Sequence, residues 1–585
     1  MDRRSFVKAA TLIPLSMATA EVSFASLASP AGETISNISG IADERFKLTL
    51  RRVLDGDSPR FTEDFLLADV KPTKERRFTE FSGDTSGRYI GALATAGRVY
   101  GVDTPGQVTL VEKVIALQKP GGYFGAGFNF EHPTDAEMAL LWGNGRLLVG
   151  LMEYYAWKPS GSVLESAKRI GDFLVRVSEL MLSKEIRNAF GAQHFASSYI
   201  CWTQQTEGLA ALYKVTKDER YRKLAEQIAA VIQRLPGDHV HGYLTSLRGV
   251  MDLYALTREP KLLEQCESAW RDISASSDLL ITGGVPEGWS PNKHRTEGCA
   301  EADWVRLNLA LWRVAGDAKY LNMAERAIFN EFAMNQFATG DFGHRVYTGT
   351  GFEAAGAARA WWCCTLHGLR CFPDIAESAF RAVNDGLRYE MPVSGSIESE
   401  VLTASAESTL AQDGTVRIRI LKASGNRARI AIRKHAWAAE TSMNFKAPGS
   451  MEPIDPGYIG AEKVWKAGDT IEVRYKMRSR SERCGAERKA FWYGPWLLGA
   501  SAQQNPAYFN ELTPENRLIG EAKPLADAGG GGAGVFSVPV AACELKYKHA
   551  EYPDQPGTVT LRPVAEQTGL PTTSWELRFL TSQGV

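Results

Sequence analysis

The chain has 585 residues, enough for two to four domains rather than one core. Hydrophobic residues make up 44% and charged residues 23%, and the net charge of −1 leaves no global field to draw nucleic acid or an anionic membrane. Fourteen Trp and 19 Tyr supply flat faces that suit sugar rings as well as a core.

At the N-terminus, Asp2-Arg3-Arg4-Ser5-Phe6-Val7-Lys8 reads as a twin-arginine motif, followed by a mildly apolar run from Ala9 to Ala20 and small residues around Ala25 to Ala28. Residues 1–28 are expected to be an export signal too short to span a bilayer. The mature protein is then expected to be periplasmic or secreted, without membrane attachment.

From residue 45 to 385 a helical hairpin pattern recurs. Leu212-Tyr213, Asp218, Tyr221 and Leu224-Ala225 are echoed by Leu311-Trp312, Asp317, Tyr320 and Met323-Ala324, with a looser copy at Leu253-Tyr254 and Pro260 and an earlier one from Tyr155. Each copy reads as a helix end, a turn capped by Asp or Pro, and a new helix with apolar residues at three- and four-residue steps. The spacing is too irregular for a solenoid, and with a sixth hairpin over Ile375–Val383 it predicts an (α/α)6 toroid. After Asp385 the period falls to two, as in Thr415–Leu421, Arg427–Arg433 and Thr470–Tyr475. An antiparallel β-sandwich is expected over 386–500, with further strands over 501–585 that complete it or form a second one.

The eight cysteines are too sparse for a disulfide scaffold, and the neighbours Cys363-Cys364 would close a strained ring. Glu297-Gly298-Cys299 and Trp361-Trp362-Cys363-Cys364 together offer one carboxylate and three thiolates, a set that can enclose Zn2+. On spacing alone, a closed structural zinc or buried cysteines without metal explain them as well. Cys201, Cys266, Cys371, Cys484 and Cys543 read as small buried hydrophobes. Trp142-Gly-Asn-Gly-Arg146 reads as tight helix packing rather than a phosphate loop, and Gly529–Gly534 lacks the Lys-Ser/Thr of one.

Glu297-x-Cys299, Cys363-Cys364 and the downstream Arg370, with Thr282-Gly283-Gly284 and Ala324-Glu325-Arg326-Ala327 around them, resemble the zinc-site motifs of the β-L-arabinofuranosidases of glycoside hydrolase family 127. The resemblance covers about residues 90 to 385 and, more weakly, the β-region. It implies a retaining glycosidase acting on a terminal sugar of plant or bacterial glycan, with Cys363 as nucleophile and Glu297, Cys299, Cys363 and Cys364 holding zinc. It also implies that His194, His241 and His132 bind sugar hydroxyls, with Glu325 a further substrate-binding candidate. The family's acid/base Glu stands some sixteen residues before the Glu-x-Cys motif. Here position 281 is Ile, and Glu287 is the only carboxylate between Asp278 and Glu297, so Glu287 is named the acid/base. The sequence also admits two other readings. One is a toroid-type polysaccharide lyase, which would leave the cysteine pair without a task; the other is a non-catalytic glycan-binding protein with a structural zinc. The oligomeric state is open.

Overall fold

The computed structural model describes residues 41–56, 59–71, 80–104, 106–181, 183, 198–353, 359–445, 452–455, 457–509, 516–525, 534–541, 557–566 and 574–582. The expected export signal, His194 and Cys543 lie outside these residues.

Six helices form an inner ring: α1 (Asp84–Tyr100), α2 (Asp135–Trp157), α3 (Gln205–Thr216), α4 (Val240–Thr257), α5 (Gly298–Ala315) and α6 (Trp362–Ala376). Each packs on the next, and α6 returns to α1. Outer helices back them. Gly161–Met181, Glu219–Ala229, Pro260–Ala275 and Ala318–Ala327 each lie against the inner helix that precedes them. The outer helices bury one stripe, as at Tyr221, Leu224, Ala225 and Ile228, whereas α5 is buried nearly all round and takes Glu301, Asp303 and Asn308 inside with it.

The hairpin motif works as its residues suggest. Asp218 and Asp317 accept hydrogen bonds from the backbone amides of Arg220 and Lys319 at the starts of their outer helices, and Pro260 opens a third. The glycine-rich run in α2 is helix packing, as expected. A Cβ on Gly150 would fall inside the backbone of Gly87 in α1, and one on Gly143 inside the backbone at Phe81 and Ser82. The sixth hairpin differs from expectation: α6 ends at Ala376, and Phe380–Val383 is a strand. The outer helix packed on α6 is the N-terminal Ile41–Asp55. A short apolar run carries no periodicity long enough to separate a strand from a helical turn.

Two five-stranded sheets follow. One is ordered Glu452–Asp455, Tyr458–Val464, Arg427–Arg433, Gly386–Tyr389 and Phe380–Val383; the other is Ala438–Phe445, Thr470–Met477, Thr415–Ala423, Leu402–Thr409 and Gly395–Glu398. Inward residues of both, including Leu387, Ile430 and Ile432 facing Ile418, Ile471 and Val473, share one core with the helical ring. Every pairing is antiparallel except Gly386–Tyr389 with Arg427–Arg433, because the chain crosses to the second sheet between them. Ser479–Arg483, Arg488–Tyr493 and Trp496–Ser501 belong to a third, C-terminal sheet, so the sandwich ends near Met477 rather than at 500. Alternation identifies strands without saying which sheet they join. The C-terminal sheet also reaches back to the helical region: Trp575–Glu576 pairs with Gly351–Phe352, and the Trp575 ring stacks on Phe352.

Glu325 ties ring to sandwich. Its buried carboxylate accepts from Trp437 Nε1 at 2.9 Å, from Arg433 Nη2 at 3.1 Å and from His435 Nδ1. Burial alone would raise its pKa, but His435 and Arg433 hold it well below the usual carboxylate range. The carboxylate is therefore engaged by the sandwich rather than offered to a sugar, a correction to the substrate-binding expectation. Glu325→Ala would leave Arg433 buried without its anion and is expected to cost about 3–5 kcal/mol, seen as a lower urea midpoint.

Candidate active site and metal centre

The N-terminal turns of α4, α5 and α6 converge. Strand β1 (Arg295–Glu297) runs straight into α5 and pairs with β2 (Gly343–Val346), setting Glu297 opposite His344. Cys299 lies in the first turn of α5, and Cys363 and Cys364 lie in the first turn of α6. The donor atoms of Glu297, Cys299, Cys363 and Cys364 all fall within 4.8 Å of one another and are buried. Both helices aim their positive ends at this cluster, which favours thiolate.

The donor set fits a metal. A tetrahedral zinc with bonds of about 2.3 Å needs donors roughly 3.8 Å apart, and three sulfurs with one carboxylate are ligands that zinc accepts. The cysteines are not equivalent. Cys299 and Cys364 are 0% exposed and Cys363 is 7% exposed, so Cys363 is the sulfur a substrate can meet. Burial raises all three thiols. At Cys363 the hydrogen bonds of Cys299 and Cys364 and the charge of Arg88 oppose it and hold its thiol below the ordinary value.

His239 Nε2–H donates to Glu297 Oε2 at 2.9 Å, and His239, Glu287 and Glu297 form a second close group. Burial would lower the His239 pKa, but Glu297 carries it above the ordinary imidazole value. Glu287 accepts two hydrogen bonds from the Arg295 guanidinium, one of them Nη2 to Oε1 at 2.8 Å, and His344 Nε2 stands 3.5 Å from Oε1. Burial would raise the Glu287 pKa; hydrogen bonds from His344 and Arg295 hold it well below the usual range. Glu287 thus stands beside the cluster, but its carboxyl rests ionised, which is not the resting state of a general acid.

Behind the cysteines, Arg88 and Asp303 clamp two histidines between them. His241 Nδ1–H donates to Asp303 Oδ2 at 2.6 Å and His367 Nε2–H to Asp303 Oδ1 at 2.8 Å. Arg88 donates to His241 Nε2 at 2.9 Å and to His367 Nδ1 at 3.4 Å. Burial drives the His241 pKa down to about 3. Arg248 joins Asp303 Oδ1 at 2.7 Å to Glu207 Oε1 at 2.9 Å, and Glu207 also takes Arg146 and the motif residue Arg370, which bonds Glu153 as well.

Of the expected sugar-binding residues, His241 lies behind the cluster with both ring nitrogens engaged, so it braces the site instead of offering a free donor to a hydroxyl. His132 sits exposed on a loop, where its backbone amide bonds Asn129 Oδ1, and it is not part of the cluster. Sequence reading missed Arg88, His239, Asp303, His344 and His367. For His239 a signal existed, since it stands two residues before His241; His344 is brought in only by the pairing of its strand with Glu297.

The profile described as β-L-arabinofuranosidase, GH127 catalytic domain, matches residues 70–377, and the GH127 middle domain matches 391–477. No curated protein matches the chain by sequence. Among solved structures, a GH127 β-arabinofuranosidase superposes with a TM-score of 0.71 at 17% identity, covering 94% of this chain and 96% of that one. A GH127 β-L-arabinofuranosidase from Geobacillus stearothermophilus T6 gives 0.69 at 17% identity over 94% and 100%, and a glycoside hydrolase gives 0.66 at 16% over 94% and 98%. The molecule is thus a helical-ring and β-sheet protein of the glycoside hydrolase class. The chain belongs to glycoside hydrolase family 127.

Asp303→Asn removes the charge that faces His241, His367 and Arg248 and is expected to destabilise by about 3–5 kcal/mol. Burial alone would raise the Asp303 pKa, but His367, Arg248 and His241 hold it well below the usual carboxylate range. Its contribution is therefore complete above the unfolded-state pKa of about 3.9 and fades in more acid solution. The gap in melting temperature between wild type and Asp303→Asn should be full at pH 7 and narrow below about pH 4.

Proposed function

We propose that this chain is an exported, retaining glycosidase that releases terminal β-L-arabinofuranose, or a closely related sugar, from plant or bacterial glycans, with Cys363 as its nucleophile. The observation that carries the reading is the convergence of Glu297, Cys299, Cys363 and Cys364 within 4.8 Å, with Cys363 the least buried of the three sulfurs. Family membership supports the hydrolytic chemistry and the carbohydrate substrate. The names of the structural relatives motivate the choice of sugar. The N-terminal twin-arginine sequence supports export to the periplasm or beyond it.

Glu297, Cys299, Cys363 and Cys364 would hold the zinc. Such an ion keeps thiols deprotonated at neutral pH. The Cys363 sulfur attacks the anomeric carbon, the glycosidic C–O bond breaks, and the leaving oxygen takes up a proton. Water then displaces the sulfur from the same carbon and yields its proton, so two inversions return the original configuration. We assign both proton transfers to the Glu287–His344 pair: its contact places an ionised carboxylate beside an imidazole, one able to receive a proton and the other to supply one. A uronate-cleaving lyase would give the thiol cluster no task.

The test is Cys363→Ser protein, assayed for zinc content, melting temperature and release of L-arabinose from an aryl β-L-arabinofuranoside. A folded variant is expected to lose turnover by on the order of 10^4-fold or more. Full activity would remove Cys363 as nucleophile. Unfolding on loss of the metal, from a wild type that hydrolyses nothing, would instead favour a structural zinc in a glycan-binding protein.

A further inference from the structure

A zinc held by three thiolates and one carboxylate keeps a formal charge of about −2, and burying such a charge without compensation is costly. Among the described residues, two cationic or hydrogen-donating groups meet the donor set directly. His239 donates to Glu297, as described above. Arg88 Nη1 stands 3.7 Å from Cys299 Sγ, within range of an N–H···S hydrogen bond. Arg88 is only 4% exposed, and its position is over-determined. Its Nε donates to Asp84 Oδ1 at 2.8 Å, and Asp84 Oδ1 in turn accepts from Trp142 Nε1 at 3.1 Å. Its Nη2 reaches His241, and the second hydrogen of Nη1 itself faces His367; both histidines are fixed by Asp303. The guanidinium fork is thus locked by groups from α1, α2, α4, α5 and α6, and one N–H is left aimed at the sulfur.

We propose that Arg88 is a positioning residue that supplies the counter-charge of the metal centre and, through its N–H···S bond, draws electron density from Cys299 so that Cys299 stays a fixed ligand while Cys363 remains the reactive sulfur. The inference rests on the metal reading above. It explains an asymmetry that the ligand set alone does not. Cys299 and Cys363 are both first-turn thiols on adjacent inner helices, yet only Cys299 has a guanidinium N–H bonded to its sulfur among the described residues. A donor on a metal-bound sulfur lowers that sulfur's basicity and nucleophilicity. The brace of Asp84, His241, His367 and Asp303 then serves to hold one cation at one sulfur.

The experiment uses the full-length holoenzyme as wild type, Arg88→Gln and Arg88→Lys. Zinc retention is measured against a competing chelator, and the thiolate-to-metal charge-transfer bands are recorded after cobalt(II) replaces zinc. Arg88→Gln is expected to lose zinc about 10- to 100-fold more readily. Arg88→Lys keeps the charge but cannot span all four partners, so it should lose less; both should shift the cobalt bands. If Arg88→Gln does not fold, Arg88→Lys decides on its bands. Zinc retention and cobalt bands identical to wild type in a folded variant would overturn the role of Arg88 while leaving the metal reading intact. A wild type that takes up neither zinc nor cobalt would overturn the metal reading, and this inference with it.

Discussion

Four groups that readily shed a proton, Glu297, Cys299, Cys363 and Cys364, are held within 4.8 Å of one another and out of water. Two unit charges 4 Å apart interact by about 4 kcal/mol at an effective dielectric of 20, so such a set cannot carry its full charge unaided. The surrounding structure answers that constraint. Two helix N-termini point at it, His239 bonds the carboxylate, Arg88 bonds a sulfur, and the donor spacing suits a divalent soft cation.

Each cation brought in needs its own anion, and the demand passes outward through the ring. Asp84 holds Arg88; Asp303 holds His241, His367 and Arg248; Glu207 holds Arg248, Arg146 and Arg370. These residues come from α1 to α6, so the charge network joins the same helices that close the ring. The inner helices accept buried charge at a cost that their packing must offset, and the close α1–α2 approach at Gly87 and Gly150 is one place where packing is tightest.

This division explains what could be read from the sequence. The four cluster residues were legible because Glu297-x-Cys299 and Cys363-Cys364 match a family motif; their spacing alone left a structural role open. The helical repeat was legible because its outer helices are amphipathic and capped by Asp218, Asp317 and Pro260. Arg88, Asp303 and His367 were not, because a charged residue in a helix looks solvent-facing until both faces of that helix prove buried. Glu325 was misplaced for a related reason: its partners Arg433, His435 and Trp437 come from a strand end and the turn after it, about a hundred residues downstream, which no local pattern reports. Glu287 was found by elimination, but its ionised state depends on Arg295 and His344, and only the pairing of β1 with β2 brings that histidine in.

The central claim is that a sulfur, rather than a carboxylate, takes the sugar. The most direct measurement is to incubate the zinc-loaded enzyme with an activated aryl 2-deoxy-2-fluoro-β-L-arabinofuranoside, which slows release of the intermediate, then quench in acid and map the labelled peptide by mass spectrometry. The account predicts one fluoropentosyl group on the peptide spanning Trp361–Arg370, bonded to Cys363. A sugar attached to Glu287 or Glu297, or turnover of the parent glycoside with inverted configuration, would contradict it.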